Sequence, residues 1–136
     1  MQQLRTKFLF FYFILTISLL GCSNDPIISG FDSAGWKADY KGCSGTRISQ
    51  LPIIKANENK LKGLDEMEIV SLFGKPDRAD LRARSQNFYW YYLEGGIHCK
   101  NNVIGTDTSL VKQKPLIMKL RFNAVDLVTE VEYTNK

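Results

Sequence analysis

A single histidine, His98, and three cysteines are the whole supply of imidazole and thiol in this chain of 136 residues. That scarcity excludes most of the chemistry that small proteins run with side chains. A nucleophile needs a base beside it, and acid–base work needs matched titratable groups. The chain has no Gly-x-Ser-x-Gly string, and its one imidazole adjoins a cysteine, Cys99. Structural zinc sites need four ligands at set spacings, and neighbours such as His98 and Cys99 seldom reach one tetrahedral ion together. No metal and no cofactor is therefore expected. Asp65, Glu66 and Glu68 look like a catalytic cluster until helix capping is considered, since acids at a helix N-terminus are stabilised by about 0.3 to 1 kcal/mol each. The chain reads as non-catalytic. Long apolar runs are also missing: Phe8 to Leu20 is uncharged but falls short of the roughly 20 residues that a helix needs to span a bilayer.

That apolar run follows Arg5 and Lys7 and ends at Leu19-Leu20-Gly21-Cys22, which is a signal-peptide layout. The four closing residues resemble the bacterial lipobox. The resemblance implies that residues 1–21 are a lipoprotein signal peptide and that Cys22 becomes the first mature residue, acylated on its sulfur and amine. A secretory signal with an incidental cysteine is the alternative. Two or more acyl chains hold a protein stably, at roughly 0.8 kcal/mol per buried methylene. Ser23 after the cysteine resembles the outer-membrane sorting pattern, so the expected address is the cell envelope, lipid-anchored in the outer membrane and facing the periplasm. Cleavage carries off Arg5 and Lys7 and no acid, which lowers the formal +4 to 16 − 14 = +2, a balance that says little about nucleic acid. Residues 22–136 suffice for one small domain. Cys43 and Cys99 are left as an even pair in an oxidising compartment and are expected to form a disulfide. Closing a loop of about 57 residues stabilises by roughly 4 kcal/mol on the chain-entropy view.

Residues 22–44 hold the turn-forming strings Asp25-Pro26, Ser29-Gly30, Ser33-Ala34-Gly35 and Lys41-Gly42. They are expected to form a tether and N-terminal extension, with Trp36 packing on the domain edge. The domain proper is expected over residues 45–136. Ile48, Leu51, Ile54 and Leu61 recur at helical spacing, and Pro52 predicts a helix that is distorted or starts late. Asp65 and Glu68 make a capping box, Leu64 and Ile69 a hydrophobic staple, and Gly74 with Pro76 a stop, so a second helix is expected over Glu66 to Phe73. Met67, Val70 and Phe73 mark its expected apolar face. Lys75 to Gln86 reads as a charged connection. Its Lys75, Arg78, Arg82 and Arg84 are either a solvated loop or a basic stretch meeting anionic headgroups.

Phe88 to Leu93 is nearly all aromatic and reads as a strand, and the polar stretch after Gly96 as a loop. Leu116 to Phe122 and Leu127 to Tyr133 alternate as two more strands, with a hairpin turn over Asn123 to Asp126. The fold class is thus α+β, two helices packed on one face of a three-stranded antiparallel sheet. The alternation is expected to send Tyr89, Tyr91, Lys119 and Arg121 to the open face as partner-binding residues, with Phe88, Trp90 and Tyr92 inward. Either Lys119 or, after a shift of two, Arg121 lies opposite Glu130. Tyr and Arg are common interface anchors; the alternative is a face of cross-strand pairs that only keeps the sheet soluble.

The strings Gly63-Leu64-Asp65 through Val70, Leu72-Phe73-Gly74-Lys75-Pro76-Asp77, Trp90-Tyr91-Tyr92, Leu120-Arg121-Phe122 and Val128 to Tyr133 together resemble the SmpA/OmlA (BamE-like) domain family of small outer-membrane lipoproteins. The resemblance covers about residues 61 to 133. It implies a two-helix, three-strand domain that works as a periplasmic interaction module without catalysis, in outer-membrane protein assembly or envelope integrity. The β-lactamase inhibitory proteins share a similar architecture, which leaves a stand-alone inhibitor or ligand-binding module as the alternative. The chain differs from the family pattern in its Cys43/Cys99 pair, the segment before the first helix and the long stretch after Gly96. The expected partners are the membrane, through the lipid, and an envelope protein.

Overall fold

The computed structural model describes residues 26, 28–82, 86–99 and 114–135. The expectations at the signal peptide, at Cys22, at Arg84 and over residues 100–113 lie outside them.

Asp32 opens the first described helix, α1 (Ser33–Ala38), by accepting the Gly35 amide on its carboxylate at 2.9 Å. A 3-10 turn at Tyr40–Gly42 leads to α2 (Thr46–Ala56), which is followed by a short α3 (Glu58–Leu61). The N-terminus of α2 has no cap of its own, and buried Asp39 serves instead, accepting from the Ser44 and Arg47 amides at 2.8 and 2.9 Å. Pro52 lies inside α2, on its exposed side. The helix α4 (Glu66–Phe73) carries the expected capping box: the Glu68 amide donates to Asp65 at 2.8 Å and the Asp65 amide donates to Glu68 at 2.9 Å. Gly74 ends it with φ 77°, a conformation open to glycine at little cost.

Four strands follow, β1 (Arg78–Arg82), β2 (Gln86–Tyr92), β3 (Leu116–Phe122) and β4 (Val128–Asn135), forming one antiparallel sheet in the order β1-β2-β3-β4. Among the described residues the class is α+β with four α-helices and four strands rather than two and three. The added strand is the stretch expected to be a charged connection: β1 pairs with β2 from Arg78 opposite Trp90 to Arg82 opposite Gln86. Main-chain pairing to an aromatic neighbour outweighs a side-chain pattern that is largely polar. The hairpin between β3 and β4 falls where expected, and the Asn123 side chain accepts from the Val125 and Leu127 amides at 3.0 Å each.

Trp36 is fully buried, not on an edge. Its ring lies 5.2 Å from that of Phe73 and 6.3 Å from that of Tyr91, and Phe31 joins the cluster from the same segment. From Ile28 onward, the expected tether is therefore part of the core. The apolar face of α4 is also rotated from expectation: Ile69, Leu72 and Phe73 are buried, while Met67 is 82% exposed. Ile69, Leu72 and Phe73 stand at i, i+3 and i+4, the spacing of one helix face.

The sheet's inner face carries Tyr91, Met118, Leu120, Phe122 and Val131. Here β2 has the opposite parity to the expected one. Tyr91 is fully buried under the helices and Tyr89 packs against the same core, while Phe88, Trp90 and Tyr92 point to the other face with Ile117. The register fixes this, since Tyr91 sits opposite Met118 and Trp90 opposite Lys119. Arg121 stands opposite Glu130 and Lys119 opposite Glu132, the second of the two expected registers.

Candidate functional site

No described helix contributes to the cluster on the sheet's outer face, where the described members are Phe88, Trp90, Ile117 and Tyr92. Strand alternation puts cations over it. The Lys119 ammonium lies 4.9 Å from the Phe88 ring centre and 5.3 Å from that of Trp90, and the Arg78 guanidinium lies 5.5 Å from Trp90. Each such contact is worth roughly 0.5 to 1 kcal/mol at an exposed site. The two cations lie over Trp90, which is only 4% exposed. Ion pairs then order the cations: Lys119 with Glu132 at 2.9 Å, Arg121 with Glu130 at 3.1 Å and Arg78 with Asp80 at 2.9 Å. The face thus presents basic groups from β1 and β3, with carboxylates along β4.

Lys119 and Arg121 lie on this face, but Tyr89 and Tyr91 do not. Tyr91 donates its hydroxyl to the Gly74 carbonyl at 2.9 Å, and burial raises its pKa. Tyr89 stacks edge-on against Phe122 with ring centres 4.8 Å apart, and desolvation followed by a hydrogen bond to Glu66 pushes its hydroxyl up to about 12. The cross-strand neighbours of Arg121 and Lys119 on this face are Phe88 and Trp90, which are expected inward from the alternation alone. Of the basic stretch, Arg78 belongs to this face and exposed Lys75 to another region.

A buried ion pair stands behind the aromatic strand. Arg47 on α2 meets Asp77 at 2.5 Å, with the two side chains 5% and 8% exposed. Arg47 also donates to the Trp36 carbonyl at 3.3 Å and the Tyr92 carbonyl at 3.2 Å, and Asp77 accepts from the Tyr92 amide at 2.9 Å. Two helices, the approach to β1 and the end of β2 are joined through these groups. Nothing in the local pattern marks this pair, whose members are 30 positions apart.

Cys43 and Cys99 lie at disulfide distance, with Cα atoms 5.7 Å apart. His98 adjoins them, its Nε2 3.0 Å from the Lys41 carbonyl and its ring 4.4 Å from that of Tyr92. The ligand atoms of Cys43, His98 and Cys99 all fall within 4.8 Å of one another. Metal binding needs thiolates, and two sulfurs bonded to each other are not available as such.

Neither a protein-family model, nor a curated protein, nor a solved structure matches the chain.

Proposed function

We propose that the chain is a membrane-anchored envelope lipoprotein that acts as a non-catalytic binding or scaffold module, with an α+β domain resembling the SmpA/OmlA family. The observation that carries this reading is the outer sheet face, a surface of paired charges over aromatic side chains that no described helix covers. Surface ion pairs add about 0 to 1 kcal/mol each to stability, so such an array does more for recognition and register than for folding. Lys119 and Arg121 supply the partner contacts, with Phe88 and Trp90 beneath them, and the partner is an envelope protein whose surface presents carboxylates to them. The non-catalytic reading is supported by the structural duties of the acids: Asp32, Asp39 and Asp65 cap helices, and Asp77 is tied to Arg47. Anchoring through Cys22 rests on the lipobox resemblance.

A photo-crosslinking residue placed at Arg121 in the full chain, with one at Lys60 as control, tests the surface. A discrete adduct in the membrane fraction from position 121 alone is expected. Equal labelling from both positions overturns the assignment. Mass spectrometry of the same material should find an acylated cysteine at the mature N-terminus, and an unmodified Cys22 overturns the anchor.

A further inference from the structure

Away from the sheet face, α1, the Tyr40–Gly42 turn and the Gly74–Asp77 segment enclose an open groove of about 560 Å³. Small-ligand sites run from about 300 to 1,000 Å³. Its lining is unusually one-signed. Lys37, Lys41 and Lys75 line it together with Arg47, and the one lining acid, Asp77, is neutralised by Arg47. Among the described residues none of the three lysines is in an ion pair. A cleft lined by one sign of charge concentrates the opposite ion.

The groove is also built with some care. Lys41 has φ 50°, in the left-handed region that side chains other than glycine rarely adopt. It is held there from three sides. Gly42, at φ 72°, docks so closely that a Cβ would stand 2.7 Å from the Leu93 backbone, the Lys41 carbonyl accepts from His98, and Cys43 is joined to Cys99. The Lys41 ammonium lies 5.2 Å from the ring centre of Tyr40, itself 54% exposed. Across the groove, the Lys37 stem lies on Gly74, where a Cβ would come within 3.1 Å of it, and its ammonium donates to the Ser71 carbonyl. Lys75 follows in an exposed turn between Gly74 and Pro76.

We infer that this groove is a binding site for a phosphate-bearing anion. Lys41 and Lys75 supply the charge, Lys37 offers its remaining donors, and the Tyr40 ring gives the rest of the ligand an apolar wall. Lysine suits this role as a compact point charge for phosphate oxygens. Neither the anchor nor the sheet face enters, so failure here leaves the proposed function standing.

Titration of the full chain in a neutral detergent, read by amide NMR shifts at Gly42 and Gly74, tests the site with two probes. Pyrophosphate represents a free phosphate, and water-soluble dihexanoylphosphatidic acid a lipid headgroup, with dihexanoylphosphatidylcholine as its control. At low salt, Lys41→Gln and Lys75→Gln should each weaken binding about tenfold, the usual worth of one charged hydrogen bond. Lys60→Gln with Lys62→Gln removes twice the charge of either groove variant elsewhere and should leave affinity within about twofold. Pyrophosphate binding lost in the groove variants supports a soluble phosphate ester. Binding of the phosphatidic acid alone, lost in the same variants, supports a headgroup. If neither probe binds, or the control pair weakens binding as much as the groove pair, the site does not exist. Lys75→Glu alone serves as the decisive variant if substitution at Lys41 disturbs its turn.

Discussion

Removing the Asp77 carboxylate should cost more than removing both members of its ion pair. In Asp77→Ala the Arg47 guanidinium, 5% exposed, keeps only two long bonds to the Trp36 and Tyr92 carbonyls, and the Tyr92 amide loses its acceptor. Leaving one charge of a buried pair uncompensated costs about 3 to 5 kcal/mol, and an orphaned amide about 1 more. Small domains have roughly 5 to 15 kcal/mol in total, so the variant should sit near its unfolding threshold. Arg47→Met leaves the converse, a carboxylate 8% exposed with one remaining donor, at a similar cost. Combining Arg47→Met with Asp77→Ala takes both charges out of the interior and should lose only about 1 to 2 kcal/mol. Urea unfolding of the full chain, with the slope unchanged between variants, reads the differences directly. If the double variant loses the sum of the two single losses, the two groups act independently. If Asp77→Ala loses under about 1 kcal/mol, water reaches the guanidinium and the burial argument is wrong.

Three further outcomes follow from the same packing. Tyr91→Ala should lose about 3 to 5 kcal/mol as a core aromatic, whereas Met67→Ala should stay within about 0.5 kcal/mol; urea midpoints that rank them the other way would restore the expected strand and helix faces. Replacing Cys43 and Cys99 together by alanine should lose about 4 kcal/mol of stability, and thiol labelling of the denatured, unreduced chain should find neither sulfur reactive. Alkali should unfold the protein through its tyrosines. Burial raises the Tyr91 pKa above its ordinary 10.0, so the unfolded chain gives up the proton first. Stability is then level below that pH and falls by up to about 1.4 kcal/mol per pH unit above it. Tyr133, which burial pushes up to about 12, adds a smaller decline. Urea midpoints that do not change between about pH 9 and pH 11 would refute this.

What could be read from sequence is what is encoded over a few positions. The capping box at Asp65 and Glu68 and the stop at Gly74 involve residues within one or two turns of one another. The β3–β4 hairpin is legible because apolar and charged residues alternate cleanly, so only two registers compete. The strand β2 offers no such contrast. Phe88 to Tyr92 are all aromatic, and either parity buries similar area. The choice is made at a distance, by the Met118 opposite Tyr91 and by the Gly74 carbonyl, which satisfies a Tyr91 hydroxyl that would otherwise be buried at a cost. Side chains on a strand swap faces with a shift of one residue, so the wrong parity also paired Lys119 and Arg121 with the wrong aromatics. Trp36 was obscured differently. Its helix has an Asp32 cap, but glycine at position 35 and the flanking serine read as turn, and six residues of helix leave no periodicity to oppose that. The groove is not legible in the sequence because two long-range contacts make it: α1 must be a helix for Lys37 to face the Gly74 turn, and Asp77 must be bound to Arg47 for the charge of the lysines to stand uncancelled.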